Sequence, residues 1–109
     1  MRQEDKNLLI EFKQRLPADV KAHLKQLIAF GSRARGDSLP DSDLDVVALV
    51  DEKTDEIKRK MDDIIYQIEL DHDFNPVISL KIFSESKFQD SLKDGFSFYL
   101  HVMQEGIHI

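Results

Sequence analysis

The 109-residue sequence contains no cysteine. That excludes a disulfide framework, a thiolate metal site and a cysteine nucleophile, and it gives no sign of an oxidising compartment. Long apolar runs are missing as well. The opening "MRQEDKNLLIEFKQ" has no hydrophobic stretch of the kind a leader needs, and no segment approaches the length required to span a bilayer. A cytoplasmic protein with no membrane partner is the expectation. Basic surface is scarce: 15 Lys and Arg stand against 21 Asp and Glu, for a net charge of −6. Duplex nucleic acid is held by neutralising its phosphates over a broad cationic face, so it is not expected as a partner, whereas a nucleotide in a local basic pocket is compatible with this charge. Repeats, linkers and low-complexity tracts are also absent, and the length suits one core but not two, so residues 1–109 are expected to form a single domain.

Hydrophobic residues make up 41% of the chain and charged residues 33%, the balance of a folded domain and not of a disordered one. Leu8, Leu9, Phe12 and Leu16 recur at helical spacing and predict a helix over Glu4 to Arg15, ended by Pro17 and followed by a shorter one around Ala18 to Leu24. Two apolar runs, Leu27 to Phe30 and Leu44 to Val50, predict strands. The second has no polar alternation and is therefore expected to be covered on both faces. Ile57, Met61, Ile64, Ile65 and Ile68 form one apolar stripe of a helix from Lys53 to Leu70. A third strand is expected over Val77 to Phe83, entered at Pro76, because proline cannot donate to a ladder. Phe88, Leu92, Phe96, Tyr99, Leu100 and Met103 fit one or two helices broken near Gly95, with Gly106 capping the last before a short tail, Ile107 to Ile109. The aromatic residues of that region are expected to pack in the core. This order of elements predicts an α/β (α+β) fold, a small mixed β-sheet flanked by helices.

The stretch "FGSRARGDSLPDSDLDVVALV", Phe30 to Val50, sets two arginines and four aspartates against the edge of that core. Gly31 to Ser38 has the spacing of a phosphate loop, but Asp37 stands where such a loop needs a lysine, and a carboxylate there repels the phosphates. Asp41, Asp43, Asp45 and Glu52 match positions of a calcium loop. Its obligatory glycine is replaced by Val46 inside an apolar run, so that reading fails too. The tripeptide at Arg35 to Asp37 is common by chance. His23, His72, His101 and His108 are scattered without zinc-site spacing.

Asp43 and Asp45 survive these tests. Residues two apart on a strand point to the same side, so their carboxylates repel unless something cationic lies between them. Such hard oxygen ligands suit Mg²⁺, which is typically held by one or two carboxylates together with substrate phosphates. Solvated aspartates beside a turn at Asp41 and Ser42 are the plainer alternative. It loses ground because Gly31 and Ser32 precede the pair, offering backbone N–H groups and a hydroxyl to an anion, with Arg33 and Arg35 adding positive charge.

The run "GSRARGDSLPDSDLD" resembles the signature of the DNA polymerase beta-type nucleotidyltransferase superfamily: glycine–serine, an arginine-bearing helix start, then Ser-Asp-x-Asp. The "GSRARG" form and the small size resemble its minimal nucleotidyltransferases, the MNT family. The resemblance implies a nucleotidyltransferase fold and Mg²⁺-dependent, two-metal transfer of a nucleoside monophosphate, AMP in the first instance, from ATP or another nucleoside triphosphate. It implies that Gly31, Ser32, Arg33, Arg35 and Ser42 contribute to the nucleotide site, and that Asp43 and Asp45 are the catalytic metal ligands. MNT proteins are often encoded beside a HEPN-domain toxin, so a HEPN-type protein partner is implied as well.

One departure from the family pattern concerns a third aspartate, expected on the following strand. Here that strand reads "PVISLKIF", with Ser79 near the expected place, while the nearest acids, Asp71 and Asp73, precede it. Two readings follow: an active transferase, and an MNT-like module that binds nucleotide or neutralises its partner by contact with little chemistry. A relic motif on a structural domain is a third, weaker one.

Overall fold

In the computed structural model, which describes residues 1–109, the valine-rich run becomes the central strand of a four-stranded sheet. The strands are β1 (Leu24–Phe30), β2 (Leu44–Val50), β3 (Ile78–Ser84) and β4 (Ile107–His108), in the order β3-β2-β1-β4. β2 pairs antiparallel with β1 and parallel with β3, and β4 runs antiparallel to β1. Leu44 and Val46 to Val50 are all buried, as an apolar run without alternation requires.

Helices cover both sides of the sheet. On one side lie α1 (Gln3–Arg15), α2 (Ala18–Lys21) and α4 (Asp55–Asp71). Leu8, Leu9 and Phe12 of α1 pack with Ile57, Met61, Ile65 and Ile68 of α4 over Leu44, Val46, Ala48 and Val50. Thr54 starts α4 by accepting the Ile57 N–H at 3.1 Å, which satisfies one of the free donors of the first turn. At its other end the buried Glu69 carboxylate accepts the Ile78 N–H at 2.9 Å, fastening the start of β3 to the helix.

The opposite side carries α5 (Glu85–Lys93) and α6 (Ser97–Glu105), broken at Gly95 as expected. Ile28, Val47, Leu49, Phe88 and Val102 form the smaller core there. Phe30, Phe83, Phe98 and Tyr99 close over it, with edge-to-face contacts such as Phe88 on Tyr99 at 5.1 Å between ring centres. Phe96 stays outside, 58% exposed.

Several details depart from the expectations. β1 starts at Leu24, three residues before its continuous apolar part, because partners on β2 supply the ladder. Ile107 and His108 are a fourth strand rather than a tail, paired to Ala29 and Ile28. Gly106 ends α6 in extended backbone, and its need for glycine comes from close approach: a side chain there would run into the Val102 carbonyl and the Ile28 side chain. No helix is long and apolar enough to cross a membrane.

Candidate functional site

Because β1 runs against β2 while β3 runs with it, the end of β1 and the starts of β2 and β3 meet at one edge of the sheet. The short helix α3 (Gly31–Arg35) turns off that edge directly from Phe30. Gly31 adopts φ +77°, a region most side chains avoid. A Cβ there would stand 2.7 Å from Oδ2 of Asp45, so the turn needs glycine and a larger residue would also displace this carboxylate. Gly36, at φ +87°, stops the helix, its N–H donating to the Ser32 carbonyl at 2.9 Å.

Asp43 is exposed just before β2, and Asp45 is half-buried on the strand. Neither carboxylate has an ion-pair partner. Burial raises the Asp45 pKa above the ordinary carboxylate range, the Asp43 charge adds to the rise, and the positive charge of Lys81 opposes it. The two aspartates therefore act on one another as the sequence spacing predicts. In the parallel register Asp45 lies beside Ser79, and Val47 beside Lys81. Ser79, and no acid, is Asp45's neighbour on β3. Asp73 belongs to the turn after α4, exposed, at φ +55°.

The arginines of the stretch behave differently from one another. Arg33 is turned into the protein, its side chain 7% exposed against 5% for Asp5. Nη1 donates to both Asp5 oxygens at 3.1 and 3.2 Å, Nε to the Ser42 carbonyl at 2.7 Å and Nη2 to the Pro40 carbonyl at 3.1 Å. All three guanidinium nitrogens are thus engaged inside the protein, and the side chain ties the loop before Asp43 to α1. Arg35 is 45% exposed, 3.3 Å from Asp37 and 3.5 Å from Glu105 of α6. Ser42 closes the loop, its hydroxyl accepting the Leu39 N–H at 3.0 Å. The site edge thus brings together Gly31, Ser32, Asp43 and Asp45, with Arg35 on its rim. Arg33 and Ser42 hold up the loop from behind.

No group of three or more His, Cys, Asp and Glu side chains is arranged to hold a metal. Of the histidines, His23 pairs with Asp51 at 2.8 Å and His72 lies 3.8 Å from Glu11, both far along the chain from the aspartate pair. The largest cavity, about 550 Å³, is lined by residues of α1, Pro40 and the turn at Asn75 and Pro76, on the Asp5 side of Arg33. The residues that the motifs did not single out are Asp5, Glu69 and Lys81. Only Lys81 carried a readable signal, since Ser79 and Lys81 occupy alternate positions in a run, Val77 to Phe83, whose other residues are apolar.

A small mixed sheet with its glycine turn and aspartate pair at one edge defines a class of phosphate-handling α/β domains. Residues 6–99 match the model of the nucleotidyltransferase domain family, and the chain belongs to that family. No curated protein matches the sequence significantly. Among solved structures, a toxin–antitoxin crystallised with AMP-PNP superposes with a TM-score of 0.57 at 18% identity, over 94% of this chain and 70% of that one. A protein of Sulfolobus solfataricus solved as a candidate nucleotidyltransferase gives a TM-score of 0.45 at 17% identity, over 99% of this chain and 87% of that one. The first likeness shows a shared fold.

Proposed function

We propose that this protein transfers AMP from ATP to a hydroxyl of a protein partner, with a HEPN-type toxin as the candidate acceptor, in the cytoplasm. The observation that carries the reading is the pair of unpartnered carboxylates, Asp43 and Asp45, set against the Gly31 turn in a chain of the nucleotidyltransferase domain family. The AMP-PNP held by the toxin–antitoxin structure of the same fold supports ATP as donor. In the reaction the acceptor oxygen bonds to the α-phosphorus, the bond from that phosphorus to the bridging oxygen breaks, pyrophosphate leaves, and the hydroxyl proton passes to solvent.

The donor set fits a hard divalent cation. Two carboxylates lie close enough for their charges to interact, on one side of the strand, with no ion pair holding either. Asp43 and Asp45 would hold Mg²⁺, which when bound neutralises charge on the reacting phosphate. Gly31 spares space at the carboxylate, while the Ser32 hydroxyl and the backbone N–H groups after Gly31 orient the triphosphate. Arg35 is placed to reach its outer oxygens if it releases Asp37.

Label from the α-phosphate of ATP should move to the partner in the presence of Mg²⁺ and fail to do so with Asp43→Asn. Undiminished transfer by that variant would refute the assignment. A second reading, partner neutralisation by contact, is favoured by one observation: Ser79, which cannot act as a carboxylate base, is what lies beside Asp45. It requires that Asp43→Asn still antagonise the partner; loss of antagonism in a complex that still forms would exclude it.

A further inference from the structure

Around the stretch from Gly31 to Asp45 the cations are already engaged. Arg33 engages Asp5, Pro40 and Ser42 with its three nitrogens, and Arg35 lies between Asp37 and Glu105. Lys81 is different. It sits on β3 two residues after Ser79, on the side of the sheet to which Asp45 points, and forms neither a hydrogen bond nor an ion pair. Adjacent strands lie about 4.8 Å apart and residues two apart on a parallel strand about 6.6 Å, so the diagonal from Asp45 to Lys81 is about 8 Å, within reach of a long side chain. The next residue on that side, Phe83, packs on Phe88 at 5.7 Å between ring centres, so Lys81 lies along β3 between an aromatic floor and Ser79, the neighbour of Asp45.

The local charges decide how many divalent ions this edge can hold. Asp43 and Asp45 supply two negative charges, which one divalent ion balances. Ser79 adds no charge to attract another, and a second ion would have to settle near the Lys81 ammonium with no carboxylate of its own. An ammonium is itself a phosphate ligand, acting as a point charge. We propose that this site takes one divalent cation with its nucleoside triphosphate, and that the Lys81 ammonium supplies to the phosphates the positive charge a second cation would otherwise bring. The proposal rests on the nucleotide-binding reading given above.

The test counts Mn²⁺ bound to the whole protein at saturating AMP-PNP by equilibrium dialysis, with nucleotide affinity measured in parallel by calorimetry. One Mn²⁺ per complex is expected, rising to two in Ser79→Asp/Lys81→Met. Lys81→Met alone should weaken AMP-PNP by roughly tenfold or more, the scale of a hydrogen bond to a charged group, while Lys81→Arg keeps most of the affinity. Lys81 is exposed, so Lys81→Met and Lys81→Arg should melt close to the parent. Two Mn²⁺ in the unaltered protein, or unchanged affinity in Lys81→Met, overturns the proposal while leaving the nucleotide site standing. Failure of the unaltered protein to bind AMP-PNP with Mn²⁺ overturns both.

Discussion

Within one short stretch the chain uses charge in opposite ways. At Arg33 all three guanidinium nitrogens have found acceptors: a buried carboxylate 28 residues away and two carbonyls of the loop that leads to Asp43. At Asp43 and Asp45 two like charges interact with no ion-pair partner for either, and burial together with that repulsion lifts the Asp45 pKa against the opposing charge of Lys81. A fold that satisfies the first set so fully while leaving the second unsatisfied keeps the second for something that arrives from outside. The arginine end gives the loop its shape, and on the function proposed above the aspartate end gives the edge its chemistry.

The sharpest way to break this contrast is to neutralise the aspartates one at a time. Asp43→Asn and Asp45→Asn should each lower label transfer by about 10²-fold or more, because charge stabilisation at a phosphoryl group is worth several kcal/mol. Their melting temperatures should not fall. A loss of activity accompanied by unfolding would place these residues with Arg33, as structure.

Arg33 should show the converse. Arg33→Met strands the Asp5 carboxylate, only 5% exposed, and removing one member of a buried ion pair costs about 3–5 kcal/mol. That is a large share of a small domain's stability. Chemical denaturation should show the loss, and Arg33→Met/Asp5→Leu should recover much of it, since the buried charge is then gone. If the single variant keeps its stability and loses only nucleotide binding, the arginine belongs to the site after all.

These two ends were not equally legible. Gly31, Ser32, Asp43 and Asp45 could be named because their meaning is local: a turn, a spacing of two on a strand, an apolar run behind. Arg33 could not be told from Arg35 in the sequence, because what separates them is distant in the chain. Asp5 lies on α1, and the Ser42 and Pro40 acceptors are backbone oxygens that no residue type announces. The same holds for the fold. Val46 to Val50 and the stripe of α4 showed themselves through patterns of their own, whereas β4 is two residues long and exists only because Ile28 and Ala29 offer it a ladder. The neighbour of Asp45 on β3 was legible as Ser79, but only through the family pattern, since nothing local in "PVISLKIF" fixes the register that brings the two side by side.

Gly31 joins the two ends and separates two effects in a matched pair of variants. Gly31→Ala and Gly36→Ala both force alanine into positive φ, which costs roughly 1–2 kcal/mol. Only at Gly31 does the new Cβ meet a neighbour, Asp45 Oδ2, whereas nothing lies within 4 Å at Gly36. Gly31→Ala should therefore be the more destabilising, and Asp45→Ala should relieve the excess. Equal losses in the two variants would mean that Asp45 has room to move and that the turn alone demands glycine.

The smallest effect tests whether Asp45 is strained by its charge. Its pKa is raised on folding, so the folded state holds the proton more tightly than the unfolded chain. Ionisation then weakens the fold as pH climbs from the ordinary aspartate value, about 3.9, through the raised one, and the penalty persists at neutral pH. Asp45→Asn carries no such penalty: it should melt slightly higher than the parent at pH 7, with the advantage shrinking as pH falls through the raised value and gone below the ordinary one. Saturating Mg²⁺ should narrow the neutral-pH gap, because a cation between the carboxylates removes the same repulsion. A variant less stable than the parent at pH 7 would mean that the Asp45 carboxylate is held by partners, and the contrast with Arg33 would disappear.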